Sequence, residues 1–300
     1  MTTAPIIFDP IALRSGRQRA NPKVLANHPL LDEVAAALAI RLQAVRRPFA
    51  RLLDLGSPSP LLSQAVSSPT RQVCHLIPAG LSIAGAYRGY PNILPVIAED
   101  WLQLPLADHS VDACISMFSL HTVNDVLGCL REIKRVLRPD GLLMASFYGE
   151  DNLNELRQCL LQADLRVSGG IYPRMHPVAA IKDVGQMLQQ AGFALPVADV
   201  THLEILYPNM RSLLKDLQAL GERNSTVIRP RHPTRRGVFE QAGQFYQQQF
   251  GREDGFIPAT INIMTITAWS PDPSHQPQAL KRGSGQVSLH QALTPPQALG

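Results

Sequence analysis

Three stretches place polar groups directly after apolar runs, where a strand would deliver them to a ligand. In "LLDLGSPSP" (52–60), Asp54 can accept hydrogen bonds and Gly56 lets the main chain turn closely against a bound molecule. In "AEDWLQLPL" (98–106), Asp100 offers a carboxylate to an exocyclic amine, and Trp101 offers a flat apolar surface on which a base can stack. In "FSLHTVND" (118–125), Ser119, His121 and Asn124 supply a hydroxyl, a potential general base and an amide. Each has an ordinary structural counterpart: Asp54 as a helix cap, Asp100 with Trp101 as a surface acid and a core aromatic, His121 as a backbone-bonded side chain. His121 and Tyr148 are the candidate polar walls of a site. There is no serine nucleophile elbow and no metal-ligand cluster stands out, so no metal is expected.

The elements that would position these groups are legible in the hydrophobic pattern. Residues 28–47 set Leu30, Leu31, Val34, Leu38, Leu42 and Val45 near one helical face. This helix leads into a first strand, followed by apolar runs at 71–77, 92–98, 111–118 and 142–148. Their alternation with helical or loop segments predicts βαβ units and a parallel sheet. Between the last two runs, residues 124–141 carry a stripe of Val126, Leu127, Leu130, Ile133, Val136 and Leu137, with Pro139 and Gly141 expected to end that helix. Helical patterns occupy 150–192, with a loop around "SGGIYPRMHP", and 210–251; strand patterns occupy 202–208 and 259–269, with "QAGFALP" (190–196) turning from a helix into another strand. In such a sheet a ligand sits at the carboxyl ends of the strands where their order reverses.

Composition sets the outer limits. The 300 residues are 45% hydrophobic, enough for a large core, and the net charge of +4 is too small to argue for nucleic acid. The basic run "RPRHPTRR" (229–236) reads as a solvated loop. Cys74, Cys114, Cys129 and Cys159 are too dispersed for a zinc site or a redox dithiol and read as buried apolar residues. No window approaches the ~20 apolar residues of a membrane span, and "MTTAPIIFDP" lacks the regions of a signal peptide, so the cytoplasm is the expected location. The expected organisation is an N-terminal segment and helix (1–48), one domain with helical insertions (49–270) and an extended or disordered tail (271–300).

The strand ending in "DLG", the "AED…LPL" segment and the run from Ser110 to Gly149 resemble the class I S-adenosylmethionine-dependent methyltransferases. More narrowly, "IIFDPIALRSGR" (6–17), "SLHTVND" (119–125), "GEDNLNELR" (149–157), "YPNMRSLLKDLQALGERN" (207–224), "DGFIPATINIM" (254–264) and "RGSGQVS" (282–288) resemble the methyltransferase-like assembly factors of respiratory complex I. The resemblance implies a Rossmann-like α/β fold with a seven-stranded, mostly parallel sheet. It implies S-adenosylmethionine as cofactor, lined by Asp54, Gly56, Asp100, Trp101 and Ser119, and a complex I subunit or assembly intermediate as partner. The mitochondrial member of that family hydroxylates an arginine, and a more distant branch methylates malonyl-carrier protein in biotin synthesis. Three departures stand against the cofactor. Pro58 and Pro60 replace two glycines of the family's first loop, removing conformational freedom and an amide donor at each. Ile77 stands where a carboxylate would hold the ribose, and Thr122 where an aromatic often follows the histidine. Two functions are therefore expected in parallel: a transferase-family enzyme acting on a protein side chain, or a non-catalytic binding factor with a degenerate cofactor loop.

Overall fold

In the computed structural model, residues 5–98, 100–272 and 274 are described. The expected tail (271–300) and its "RGSGQVS" segment lie almost wholly outside the described residues. The chain opens with α1 (Pro10–Gln18), α2 (Pro22–Leu25) and α3 (Pro29–Ala44), each with proline in its first turn, where the missing amide costs nothing. Asp9, Asn21 and His28 cap them by accepting backbone N–H bonds.

There follow β1 (Arg51–Leu55), α4 (Leu61–Val66), β2 (Gln72–Pro78), β3 (Ile93–Ala98), β4 (Val111–Met117), α5 (Val126–Val136) and β5 (Leu137–Tyr148). The second half contributes α6 (Asn154–Ser168), α7 (Ile181–Gln190), β6 (Ala194–Tyr207), α8 (Met210–Ala219), α9 (Arg236–Phe250) and β7 (Ile257–Trp269). The strands form one seven-stranded sheet in the order β3-β2-β1-β4-β5-β7-β6. β1 to β5 pair in parallel, while β7 runs antiparallel between β5 and β6. The strand order reverses between β1 and β4, whose residues are almost all buried because helices cover both faces. One core lies between the sheet and α3, α4, α6, α8 and α9; the second lies under α5 and α7.

Two boundaries differ from those the pattern predicts. α5 ends at Val136, so Pro139 and Gly141 lie in the irregular lead of β5 and not at a helix terminus. There the pairing with β4 shifts register between Val111 and Ala113, and Asp140 adopts φ 56°. The segment at 190–196 does turn from the end of α7 into a strand, but that strand and the one expected at 202–208 are a single long one, β6, which the strand order places at the sheet edge. Its polar middle, "ADVTH", weakens the strand signal in sequence, but pairing along the length of β7 supplies the backbone bonds.

Candidate functional site

At the carboxyl end of β1, the Asp54 carboxylate is fully buried and faces inward. Ser57 Oγ donates to Oδ1 at 2.5 Å and Ser63 Oγ to Oδ2 at 2.6 Å. Ser57 Oγ in turn accepts from the backbone N–H of Met117 at 3.0 Å. Beneath them the His75 Nε2 donates to the Ser57 carbonyl at 3.1 Å, and its Nδ1 pairs with the Tyr87 hydroxyl. Burial is the main cause holding the Tyr87 phenol well above its ordinary range. Asp54 therefore ties the first loop to α4 and β4. Ser57, Ser63, His75 and Tyr87 were missed in sequence because they are scattered and individually ordinary.

The loop itself keeps one special conformation. Gly56 has φ 75°, a region that favours glycine, and its N–H donates to the Leu76 carbonyl at 2.9 Å. Neither Pro58 nor Pro60 stands at positive φ. Pro60, at φ −70°, is the residue before α4, and its carbonyl accepts the Gln64 N–H at 2.9 Å. The prolines fit because the chain goes straight into the helix, instead of following a glycine-rich arc.

Above Gly56 there is no room. A Cβ placed on it would lie 2.1 Å from Ser119 Oγ and 3.1 Å from Trp101 Cζ2. Trp101 is buried on this loop, while Asp100 is exposed and accepts from the Leu102 N–H at 2.7 Å. Thr122 donates to the Ser119 carbonyl at 3.0 Å, and Ile77 is wholly buried in the core. The helix α1 closes the other side, its Arg14 carbonyl 2.8 Å from where a Cβ on Gly80 would stand. What remains between Gly56, Pro58, Pro78, Phe118 and Thr122 is a cavity of ≈ 40 Å³. Small-molecule sites usually measure roughly 300–1,000 Å³. Of the five residues expected to line a cofactor, Gly56, Trp101 and Ser119 come together here, Asp54 lies buried behind the loop and Asp100 is exposed.

The open space lies next door. A pocket of ≈ 490 Å³ is walled by Leu153, Leu156, Leu160, Leu214, Leu217 and Ile261 and reaches His121, Tyr148, His176 and Glu222. Three connections build its floor. His121 follows β4 in a 3-10 turn, His176 comes from the loop between α6 and α7, and Glu222 from the turn after α8. The His121 ring stacks edge-on against Tyr148 at 5.1 Å between centroids and lies 6.3 Å from that of His176. Both ring nitrogens of His121 are buried without a hydrogen-bond partner, as is Ser119 Oγ. His121 Nε2 and Glu222 Oε2 are 3.6 Å apart.

Charge is arranged unevenly here. Burial pushes the Glu222 carboxyl upward, but His121, His176 and Arg17 outweigh it and hold the group below its ordinary value. Burial lowers His176 and strongly raises Tyr148, keeping both uncharged forms favoured. Glu222 is the sole carboxylate lining the pocket among the described residues. Of the four lining arginines, Arg174 is neutralised by buried Asp164 at 2.6 Å and Arg229 by Asp9 at 2.8 Å. The basic run at 229–236 is thus not simply a solvated loop, since Asp9 on the N-terminal segment pairs with Arg229 and Arg231.

The N-terminal segment is strapped across this region. Asn124 Oδ1 accepts from the Ile7 and Phe8 N–H groups at 2.9 and 2.7 Å, and its Nδ2 donates to the Phe8 carbonyl at 3.0 Å. The Phe8 ring meets His176 edge-on at 5.2 Å. Asn124 is therefore a clamp for the strap.

Comparison with known proteins agrees with this architecture. Residues 53–145 match a methyltransferase domain model. The chain is 33% identical to "Arginine-hydroxylase NDUFAF5, mitochondrial" of Danio rerio over 87% of this chain and 80% of that protein. The corresponding Homo sapiens protein is 31% identical over 87% of this chain and 75% of its own length. The chain belongs to this methyltransferase-fold family. Malonyl-[acyl-carrier protein] O-methyltransferase of Gallionella capsiferriformans is also similar, at 34% identity over 89% of this chain and 93% of that protein. Among solved structures, the YcgJ protein of Bacillus subtilis gives a TM-score of 0.54 at 17% identity, covering 80% of this chain and 99% of that one. The [4+2]-cyclase SpnF gives the same TM-score of 0.54 at 17% identity, covering 90% of this chain and 99% of its own. These confirm the Rossmann-like class I methyltransferase fold, and the cyclase's name shows that the fold does not dictate one reaction. Among the described residues no helix is long and apolar enough to cross a membrane, and the names of the NDUFAF5 relatives place those proteins in mitochondria.

Proposed function

We propose that this chain modifies a protein side chain, an arginine on the precedent of its NDUFAF5 relatives, during assembly of respiratory complex I. The working site is the pocket ending on His121, Tyr148, His176 and Glu222. The observation that carries this reading is the contrast between the two spaces: ≈ 40 Å³ over the cofactor loop against ≈ 490 Å³ in the adjoining pocket. The leucine walls suit the methylene stem of a long side chain, and the unpartnered imidazole and the carboxylate stand where its head would react. S-adenosylmethionine enters this reading only if Trp101 and Ser119 withdraw from Gly56.

The test is the mass of a complex I subunit from cells with and without this chain. A peptide that gains one oxygen, or one methylene, on an arginine only when the chain is present supports the reading. Unchanged subunit masses overturn it. Calorimetry with S-adenosylmethionine at millimolar concentration then separates the two chemistries, because methylation takes its carbon from that donor whereas hydroxylation takes one oxygen atom from dioxygen, the other leaving as water with two electrons from an external reductant.

A second reading is a non-catalytic assembly factor that uses the fold as a binding surface. The filling of the cofactor cleft by Trp101 and Ser119 favours it. Complementation by a His121→Ala, Glu222→Gln double variant that restores complex I activity at normal protein level selects this reading over the enzymatic one.

A further inference from the structure

We propose that His121, His176 and Glu222 form a binding site for one divalent first-row transition-metal ion on the floor of the pocket. The site deepens the functional reading above and rests on the same pocket. One ligand atom from each of the three residues can be chosen so that all lie within 4.8 Å of one another. No spacing rule could reveal this, since the residues are carried by three separate connections that only the sheet brings together.

The state of His121 is the strongest observation. Its side chain is 6% exposed, and apart from the 3.6 Å approach of Glu222 Oε2 to Nε2 neither ring nitrogen has a hydrogen-bond partner. A buried imidazole normally has a partner for each nitrogen, and leaving one unsatisfied is costly because the group has given up its hydration. A metal ion supplies that partner through the nitrogen lone pair. The 3.6 Å separation of His121 Nε2 and Glu222 Oε2 is long for a hydrogen bond. It suits two ligands of one ion, because atoms about 2.1 Å from a common centre stand roughly 3–3.5 Å apart.

The chemistry of the donor set selects the metal class. Two imidazoles and one carboxylate, facing a cavity that leaves further coordination positions open, are the donors that iron(II), cobalt(II) and zinc(II) take in proteins. Calcium and magnesium prefer sets built from oxygen, and a thiophilic site would need cysteine. Two features limit affinity. Arg17 places positive charge near Glu222, and Ser225 already uses His176, its N–H donating to Nε2 at 3.0 Å with its hydroxyl at 2.9 Å. A metal must compete with the Ser225 N–H for that ring, so His176 is the weakest of the three ligands.

The experiment uses the full chain, stripped with a chelator, dialysed and titrated with cobalt(II) under absorbance and calorimetry. The expected result is one equivalent bound, with a visible d–d band of a nitrogen- and oxygen-ligated ion. His121→Ala and Glu222→Gln should each weaken binding on the order of ten-fold or more, and His176→Ala by less. Circular dichroism of each variant establishes that it is folded; His109→Ala, at a histidine that precedes β4 at the opposite end of that strand from His121, should bind like the unaltered chain. No band and no heat at millimolar cobalt(II), or binding indifferent to His121→Ala and Glu222→Gln in folded protein, overturns the site. The two proposals can fail separately. Arginine modification by a protein that binds no cobalt(II) at these residues overturns the metal site and keeps the function. Metal bound at these residues with no modified arginine in any complex I subunit keeps the site and removes the function.

Discussion

Ser119 fills the space over Gly56: a Cβ on that glycine would lie 2.1 Å from the Ser119 Oγ and 2.9 Å from its Cβ. The loop after β1 and the loop after β4 are in direct contact at the point where the fold ordinarily leaves a cleft. The contact is a packed junction between the two loops, and its energetics and those of its surroundings can be measured.

Gly56→Ala combines that collision with a backbone at φ 75°. The backbone conformation alone costs a non-glycine residue about 1–3 kcal/mol. The variant should lose at least this much stability in urea denaturation. Adding Ser119→Gly removes both colliding atoms and should recover part of the loss. Strictly additive effects of the two substitutions would show that the loops do not touch.

Asp54 serves the fold through two serines. Asp54→Ala strands the hydroxyls of Ser57 and Ser63 in a buried environment, and each bond to the carboxylate is worth roughly 1.5–3 kcal/mol. A drop in stability of about 3 kcal/mol or more is expected, with Ser57→Ala and Ser63→Ala each giving a fraction of it. Unfolding curves that overlay those of the unaltered chain would contradict this assignment.

Asp112 couples stability to acid. Burial works to raise its pKa, but the N–H groups of Arg51 and Ala50 and the Arg138 guanidinium outweigh burial and hold it below the ordinary aspartate value. A depressed folded pKa means that the contribution is complete above the unfolded value and disappears as pH falls through the folded one. Below about pH 4 the chain should therefore lose stability more steeply than an Asp112→Asn variant, as measured by thermal melting across an acid series.

Asn124 anchors the N-terminal strap through three hydrogen bonds to Ile7 and Phe8. Asn124→Ala removes all three, each worth on the order of 1 kcal/mol. Faster hydrogen exchange at the Phe8 amide, with little change at the amides of β4, is the expected signature. Uniformly faster exchange would mean that Asn124 supports the whole sheet instead of the strap.

The sequence by itself determined the α/β class, the positions of the apolar strands and the turn at Gly56, because these depend on local period and backbone conformation. It also carried the family resemblance. Chain pairing decided the rest. β6 became one continuous strand only beside β7, and α5 stopped at Val136 because the lead of β5 pairs with β4. At the site, Asp54 and Gly56 were legible as a strand-to-loop junction, while the direction of the Asp54 carboxylate depended on Ser57 and Ser63 reaching it in three dimensions. The grouping of His121 with His176 and Glu222 has no trace in spacing, because connections at one end of a sheet become neighbours only when strand order brings them there.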